Sequence, residues 1–473
     1  MIEIVAAISL IASTFIQALH VFYSLGYTAY ESLTYARRGV ASNNSFYSSH
    51  YISIIIAVKD EDPWILRRTL ESCLAIQWPR DRVEILVVSD DPVERREELR
   101  KAVKDLQSGN EALKLIFREK PEGGRVGALN LAIKEAKGDI VLLLDVDTKP
   151  SPGMVRKAVE MIDAGCDAVV FRWRGYYTYS SRLAKALSTA MEFIVGSLYR
   201  GRSGLGYQVI PLGSGTAYRK DVILEVGGWD IGIVQDDYWM GIKLFGSGRK
   251  VCYCDDEHVD VMVTSTYKAF KIQQSRWSFG AVQAIKKGIK IISGSQAPLW
   301  KKVELVVYGL QYIPTIAIAL SIYIYPILLI FNRGSDPIES ILYIFALWLL
   351  VSIIYIVRYI QIVIKRQDLR LLEAIKRLGT SSAATSALSF HIAFSQIQGI
   401  LFNKYRYVIT PKGSREIQLK RADLSEIPEI LSMIILTIGV VLSLARGYLL
   451  STTWLALLLS AYIYTLLVII GIK

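Results

Sequence analysis

The chain has 473 residues, 52% of them apolar and only 21% charged, against roughly 45–50% and about 25% in a soluble globular protein. That apolar surplus excludes a disordered, collagenous or disulfide-scaffold chain and requires part of it to face lipid. Lys and Arg outnumber Asp and Glu by 55 to 43, a net charge of +12, which leaves nucleic acid, anionic lipid or phosphorylated ligands as partners. The four cysteines, Cys73, Cys166, Cys252 and Cys254, form no CxxC pair and read as small core residues of a reducing compartment.

In chain order, Ile4 to Tyr30 is the first stretch long enough to cross a bilayer core of about 30 Å. With Glu3 ahead of it, no preceding Lys or Arg and no small-residue cleavage site, it reads as an anchor rather than a secretory leader. From Tyr51 to about Thr266, apolar strand runs alternate with amphipathic helices. Strands are expected at 53–58, 84–88, 113–118 and 139–144, with helices at 64–74, 92–106 and 127–137. This alternation predicts an α/β domain with a mainly parallel sheet, in which ligands bind beyond the carboxyl ends of the strands. Acidic clusters follow three of those ends: Lys59-Asp60-Glu61, Ser89-Asp90-Asp91 and Asp145-Val146-Asp147. One such cluster is usually a helix cap; three on one edge point to a ligand. Asp145 and Asp147 suit a Mg²⁺ or Mn²⁺ ion bound to a diphosphate, one carboxylate on the metal and the other on a second oxygen ligand or a ribose.

Further spans are expected at Val303 to Phe331, Ile341 to Ile364, Ile427 to Leu444 and Tyr448 to Ile472. The loops 332–340 and 445–447 carry only Arg333 and Arg446 as basic residues, whereas 365–426 carries eleven Lys or Arg against five acids. The positive-inside rule then puts that connection and the α/β domain in the cytosol, with the amino terminus outside. The sequon Asn43-Asn44-Ser45 lies on the side where it is not glycosylated. Arg358 reads as a snorkelling side chain or an intramembrane anion or saccharide contact. His258, after Asp255-Asp256-Glu257, either completes a metal site or ends an exposed acidic turn, and the Cys252 and Cys254 sulfurs share one strand face. The expected divisions are an anchor at 1–31, the α/β domain at 50–266, an interfacial helix at 267–302, two spans at 303–364, an interfacial segment at 365–426 and two spans at 427–473.

The order of these features resembles the membrane-embedded family 2 glycosyltransferases, the cellulose synthase and hyaluronan synthase group, across roughly Ser53 to Gly413. The resemblance implies a GT-A-type nucleotide-sugar domain with α-helical transmembrane and interfacial helices. Asp90-Asp91 resembles the family's first aspartate site, at the nucleobase, and Glu61 the glutamate near the nucleoside. Arg125-Val126-Gly127-Ala128-Leu129-Asn130 is similar to the KAGALN stretch, whose basic residue reaches the nucleotide phosphates. Gly215-Thr216 and Gly227-Gly228-Trp229-Asp230 resemble the acceptor-pocket stretch. Gln235-Asp236-Asp237 stands where the family has Thr-Glu-Asp, whose last aspartate is the general base; with Asp236 in place of Glu, either acid is a candidate. Gln273, Arg276 and Trp277 form a complete QxxRW, and positions i, i+3 and i+4 share one helix face. There the polar groups can meet sugar hydroxyls and phosphate and the indole can stack on a sugar. A basic interfacial helix with a Trp anchor also accounts for that stretch, since Lys286, Lys287 and Lys290 follow. Tyr407 to Gly413 looks like the FxVTxKG gating loop, with Thr410 and Lys412 set to meet the diphosphate.

The implied activity is that of a metal-dependent inverting hexosyltransferase, with the donor left open among UDP-glucose, UDP-N-acetylglucosamine and GDP-mannose. The acceptor is either a lipid-linked saccharide at the cytosolic face or a growing β-polysaccharide that the enzyme also secretes. Complete QxxRW and gating-loop motifs favour the polymer; the small number of spans and the lack of a soluble module after the last one favour the short product. A transporter with a nucleotide-binding regulatory domain gives no reason for Asp237 and QxxRW beside Asp-x-Asp. Nucleic acid is not expected, because the basic residues cluster beside spans and in the phosphate site.

Overall fold

The computed structural model describes residues 1–38, 50–108, 112–402, 404–406, 408–418 and 424–471. The sequon, Tyr407, Lys420 and Arg421 lie outside the described residues. After α1 (Ile2–Arg38) come β1 (Ile52–Val58), α2 (Pro63–Leu74), β2 (Val83–Ser89), α3 (Val93–Ser108), β3 (Leu113–Phe117), α4 (Gly124–Glu135) and β4 (Ile140–Asp145). β1 lies between β2 and β4, β3 flanks β2, and all three pairings are parallel. The sequence dictates this centre: runs such as Ile-Ser-Ile-Ile-Ile-Ala-Val bury both faces, which parallel strands require. Ile52, Ile54, Ile56 and Val58 pack on the side of α2, and Ile55 packs opposite with α4 residues Val126 and Leu129.

The rest of the sheet is mixed. β5 (Thr148–Pro150), α5 (Met154–Asp163), β6 (Ala168–Tyr176) and α6 (Arg182–Ile194) follow, and a π-helical turn, Val195–Gly201, leads into α7 (Arg202–Gly204). Then come β7 (Thr216–Arg219), α8 (Lys220–Glu225), α9 (Asp236–Gly246) and β8 (Val251–Met262). The order across the eight strands is β3-β2-β1-β4-β7-β6-β8-β5. β7 is antiparallel to both β4 and β6, while β6 and β8 are parallel. Because β6 and β8 are neighbours, Cys166 and Cys252, 86 residues apart in sequence, meet in a disulfide. That corrects the expectation of four unpaired core cysteines; Cys73 and Cys254 are the free, buried ones. Cys252 and Cys254 do share a face, with Tyr253 packed on the other.

Beyond the sheet come α10 (Tyr267–Gly294), α11 (Leu299–Gly309), α12 (Pro314–Phe331), α13 (Leu342–Gln367), α14 (Leu371–Ala387), α15 (Ser389–Leu401), α16 (Ser414–Gln418), α17 (Ile427–Ala445) and α18 (Leu449–Tyr464). Five segments are long and apolar enough to cross a membrane, which makes this a membrane protein: Ile2–Tyr30, Pro314–Phe331, Glu339–Gln367, Leu424–Ala445 and Leu449–Ile470. The expected span from Val303 is shorter because the helix stops at Gly309 and restarts at Pro314, a residue preorganised for a first helical turn. The acidic turn expected near His258 is part of β8 instead, and Asp255 within it is buried against Arg200 and Arg366. Arg358 clasps α1, its Nε donating to Ser24 Oγ at 3.0 Å and its Nη2 to Ser24 O at 2.7 Å.

α1 is fastened to the sheet half in two ways. A Cβ on Gly26 would lie 2.1 Å from the Gly201 carbonyl, and one on Gly204 would lie 2.0 Å from the Gly26 carbonyl, so the two backbones touch through glycines. Beside them Arg200 Nε donates to Tyr27 O at 3.0 Å, while Arg366, at the end of α13, pairs with Asp255 at 2.8 Å and Glu192 at 3.4 Å.

Candidate active site

The carboxyl ends of β1, β2 and β4 open into a cavity of about 1670 Å³. Its walls include Glu61, Asp90, Arg125, Asp145, Asp147, Asp236, Asp237, Gln273, Arg276, Trp277, Thr410 and Lys412. Residues from seven separate stretches thus meet at one place. Helix α10 brings Gln273, Arg276 and Trp277 to the wall together, as their shared helix face requires.

Cations already engage the acidic centre. Arg125 bridges it: Nη2 lies 3.1 Å from Asp145 Oδ1 and donates to Gly213 O at 2.6 Å, while Nη1 pairs with Asp236. Lys412 Nζ lies 2.6 Å from Asp147 Oδ2 and donates to Met262 O. Burial raises the Asp145 carboxyl; Arg125 opposes this and Asp147 adds to it. Two carboxylates two residues apart, each drawing a side-chain cation, are an oxygen donor set of the kind that hard divalent ions take. Among the described residues no three His, Cys, Asp or Glu side chains converge as a metal cage. An ion at Asp145 and Asp147 would therefore draw its remaining oxygens from elsewhere.

The two candidate bases are in different environments. Asp236 is paired with Arg125, whereas Asp237 accepts from the Tyr238 N–H at 2.7 Å and the Gly213 N–H at 3.1 Å. Burial pushes the Asp237 carboxyl up to about 7, with Asp236 adding to the effect. Burial, then Asp147, pushes Glu61 up to about 8 against the pull of Lys412 and Arg415. Gln235 Oε1 and Thr410 Oγ1, both on wall residues, are buried without a partner.

The segment 408–418 is docked over this site. Ser414 donates from N and Oγ to Asp62 Oδ2 at 2.9 and 2.8 Å, and Arg415 donates to Asp60 O. Gly413 has φ +61°, and a Cβ there would lie 2.5 Å from Asp62 Oδ2, so glycine is required. Behind it, buried Glu416 accepts from the Ser265 N–H and, at 2.8 Å, from the Thr266 N–H at the start of α10.

Three expected site residues do not reach the wall. Asp91 is buried and accepts from the Asp60 N–H at 2.9 Å, holding the β1 turn in which Asp60 has φ +54°. Thr216 is fully buried, its hydroxyl spanning the Leu212 N–H and C=O at 3.0 and 2.9 Å; it and Gly215 lie beneath Leu212 and Gly213, which do line the cavity. Sequence reasoning missed Arg118, Arg415, Glu416 and the wall tyrosines Tyr199 and Tyr308. Only Arg118 left a signal, since it follows a strand as the acidic clusters do.

Residues 50–280 match the family model described as "Glycosyltransferase like family 2". A probable glycosyltransferase of Sulfolobus acidocaldarius is 29% identical over 460 residues, 96% of this chain and 97% of its own. Probable glucomannan 4-beta-mannosyltransferase 14 of Arabidopsis thaliana is 24% identical over 318 residues, 63% of this chain and 58% of that protein. The solved structure of the mannosyltransferase PcManGT from Pyrobaculum calidifontis, in complex with GDP-Man and Mn²⁺, aligns with a TM-score of 0.48 and 18% identity over 77% of this chain and 98% of that one. The matched segment, running from the first strand into the QxxRW helix, belongs to the family 2 glycosyltransferases.

Proposed function

We propose that the protein is an inverting hexosyltransferase that moves a hexose from a nucleotide diphosphate-sugar, GDP-mannose or a UDP-hexose, to a lipid-linked saccharide at the cytosolic face of a membrane. The observation that carries this reading is the separation of roles around Arg125: Asp236 and Asp145 are ion-paired, and Asp237 is left as a half-buried wall carboxyl poised near neutral pH. Asp237 takes the proton of the acceptor hydroxyl while that oxygen forms its bond to the anomeric carbon. The bond from that carbon to the diphosphate oxygen breaks on the opposite face, and the diphosphate leaves with the electron pair. Lys412, Arg125 and Arg276 are the wall cations that offset the charge building on it. Asp145 and Asp147 would hold Mg²⁺ or Mn²⁺, which when bound supplies further positive charge there. Gln273 and Trp277 orient the sugars. The cytosolic placement rests on the basic segment 365–426.

A second reading, a processive synthase that secretes its β-linked product, has its own observation. The cavity continues from the carboxylates between α1, α13 and α14, where Gln17, His20, Tyr355, Ser382, Thr385 and Ser386 line it. Hydroxyls and amides suit a saccharide better than an acyl chain. A donor screen with purified protein in detergent, reading nucleotide diphosphate release with Mn²⁺ or Mg²⁺ and product mass, tests both. Release with single additions supports the first reading, ladders of many sugars the second, and no release from any common donor removes both.

A further inference from the structure

We propose that the inner branch of the cavity is a dead-ended chamber for an uncharged saccharide, and that Leu10, Ile322 and Leu388, which close its end, set the longest product the enzyme makes. The inference rests on the transferase reading and adds a limit on product length.

The branch leaves the carboxylates and runs between the membrane helices. On α1 its wall is Ser13, Gln17 and His20, spaced by four and three residues and so on one helix face. Ser13 and Gln17 lie near the middle of the span Ile2–Tyr30, and Tyr355, on the α13 wall, near the middle of Glu339–Gln367. The branch thus reaches about halfway along both spans, and from His20 to Ser13 the helix rises about 10 Å. Two of these wall groups are held from α13: Trp348 Nε1 donates to Ser13 Oγ at 3.2 Å and Ser352 Oγ to Gln17 Oε1 at 2.8 Å.

Past Ser13 the same face of α1 continues through Leu10 and Ala6, and neither lines the cavity. Both are fully buried, packed in one cluster with Ile322 and Tyr325 of α12 and with Leu388, which joins α14 to α15. Beside them Ser321 Oγ donates to Ser9 Oγ at 2.8 Å, which ties α12 to α1. On α14 the change is as abrupt: Ser382, Thr385 and Ser386 are wall, and two residues later Leu388 is core.

A sugar bears hydroxyls around its ring, and in that apolar cluster each would lose its hydrogen bonds. Side chains packed at crystal-like density leave it no path either. A polar lining that meets such a plug holds a saccharide and does not pass one. Among the described residues, none of the wall positions on α1, α12, α13 and α14 is Asp, Glu, Lys or Arg, so a uronate or a phosphate would be buried there without a partner. The sugars behind the reacting one enter the branch, and growth stops when the far end meets Leu10.

The test is calorimetric titration of the full-length protein in detergent with glucan- and mannan-derived oligosaccharides graded from disaccharide to octasaccharide. Affinity should climb with each added sugar and then stop climbing at one length, and oligogalacturonides should bind about tenfold or more weakly. Leu10→Ala combined with Ile322→Ala deepens the chamber and should move the stopping length up by at least one sugar. Thr385→Phe fills part of it and should move that length down. A stopping length that neither variant shifts, affinity that climbs through the whole series, or equal binding of the uronate series overturns the inference. So does a donor screen that yields ladders without an upper limit, and in that case the transferase reading stands. Failure of every donor in that screen, with the length series behaving as expected, removes the transferase reading and leaves the chamber. If the double variant does not fold, as judged by its melting in detergent, Thr385→Phe and the uronate series decide.

Discussion

Asp237 carries the sharpest expectations. Replacing it with Asn keeps the shape and removes the base, so transfer should fall by about 10²–10⁴-fold while nucleotide binding changes little; titration alongside a turnover assay checks both. Loss of nucleotide binding instead would move Asp237 out of the base role. Its pH dependence follows from its environment. Burial first, then Asp236, holds the carboxyl near 7, against the backbone N–H groups of Tyr238 and Gly213 and the Arg125 charge. Transfer requires the ionised form, so kcat/KM should fall by about tenfold per pH unit below that value and level off above it. The same shift works against the fold: the native carboxyl keeps a proton that the unfolded chain, with an ordinary value of 3.8, has already released. Between those two values the native state binds more protons, and this group's contribution to stability declines as pH rises.

At the scale of elements, the docked segment 408–418 is held at both ends of the site. Lys412 sits on Asp147 and Ser414 on Asp62, while Glu416 caps the start of α10. Glu416→Ala should release the segment without touching substrate groups, raising KM for the donor several-fold and making the 404–418 stretch more susceptible to a protease. An unchanged KM with unchanged cleavage would deny the loop its role. This level also shows what was legible beforehand. The β1 to β4 runs and their acidic ends could be read directly, because parallel central strands are apolar throughout and their carboxyl ends are where a sheet exposes function. The QxxRW face was likewise fixed by helical spacing. The fates of Asp91 and Thr216 were not, because pattern places a residue at a strand end without saying whether it faces the cavity or props up its neighbour. The Cys166–Cys252 bridge depended on β6 and β8 becoming neighbours, a pairing between distant segments that local sequence does not encode. Nor did composition reveal the break at 310–313, where Gln311 and Tyr312 turn toward the cavity within an apolar stretch.

For the molecule as a whole, the buried charges joining α13, α6, β8 and the π-helical turn hold the membrane helices to the sheet. Arg366→Ala would strand Asp255 and Glu192 in the interior and should cost about 3 kcal/mol, seen as a lower melting midpoint in detergent; Arg200 remains to share Asp255 and limits the loss. The glycine contact between α1 and the π-helical turn has a practical corollary. Backbones that approach this closely cannot be traded for a looser seam, and the face of the π-helical turn that α1 covers would open to water if the first 38 residues were cut away. The catalytic half of this enzyme is therefore not a soluble module carried on a tether. Expressed as residues 50–280 alone it should precipitate or stay inactive, and supplying residues 1–38 as a separate peptide in detergent should restore part of the activity, because the bundle supplies one wall of the reaction vessel.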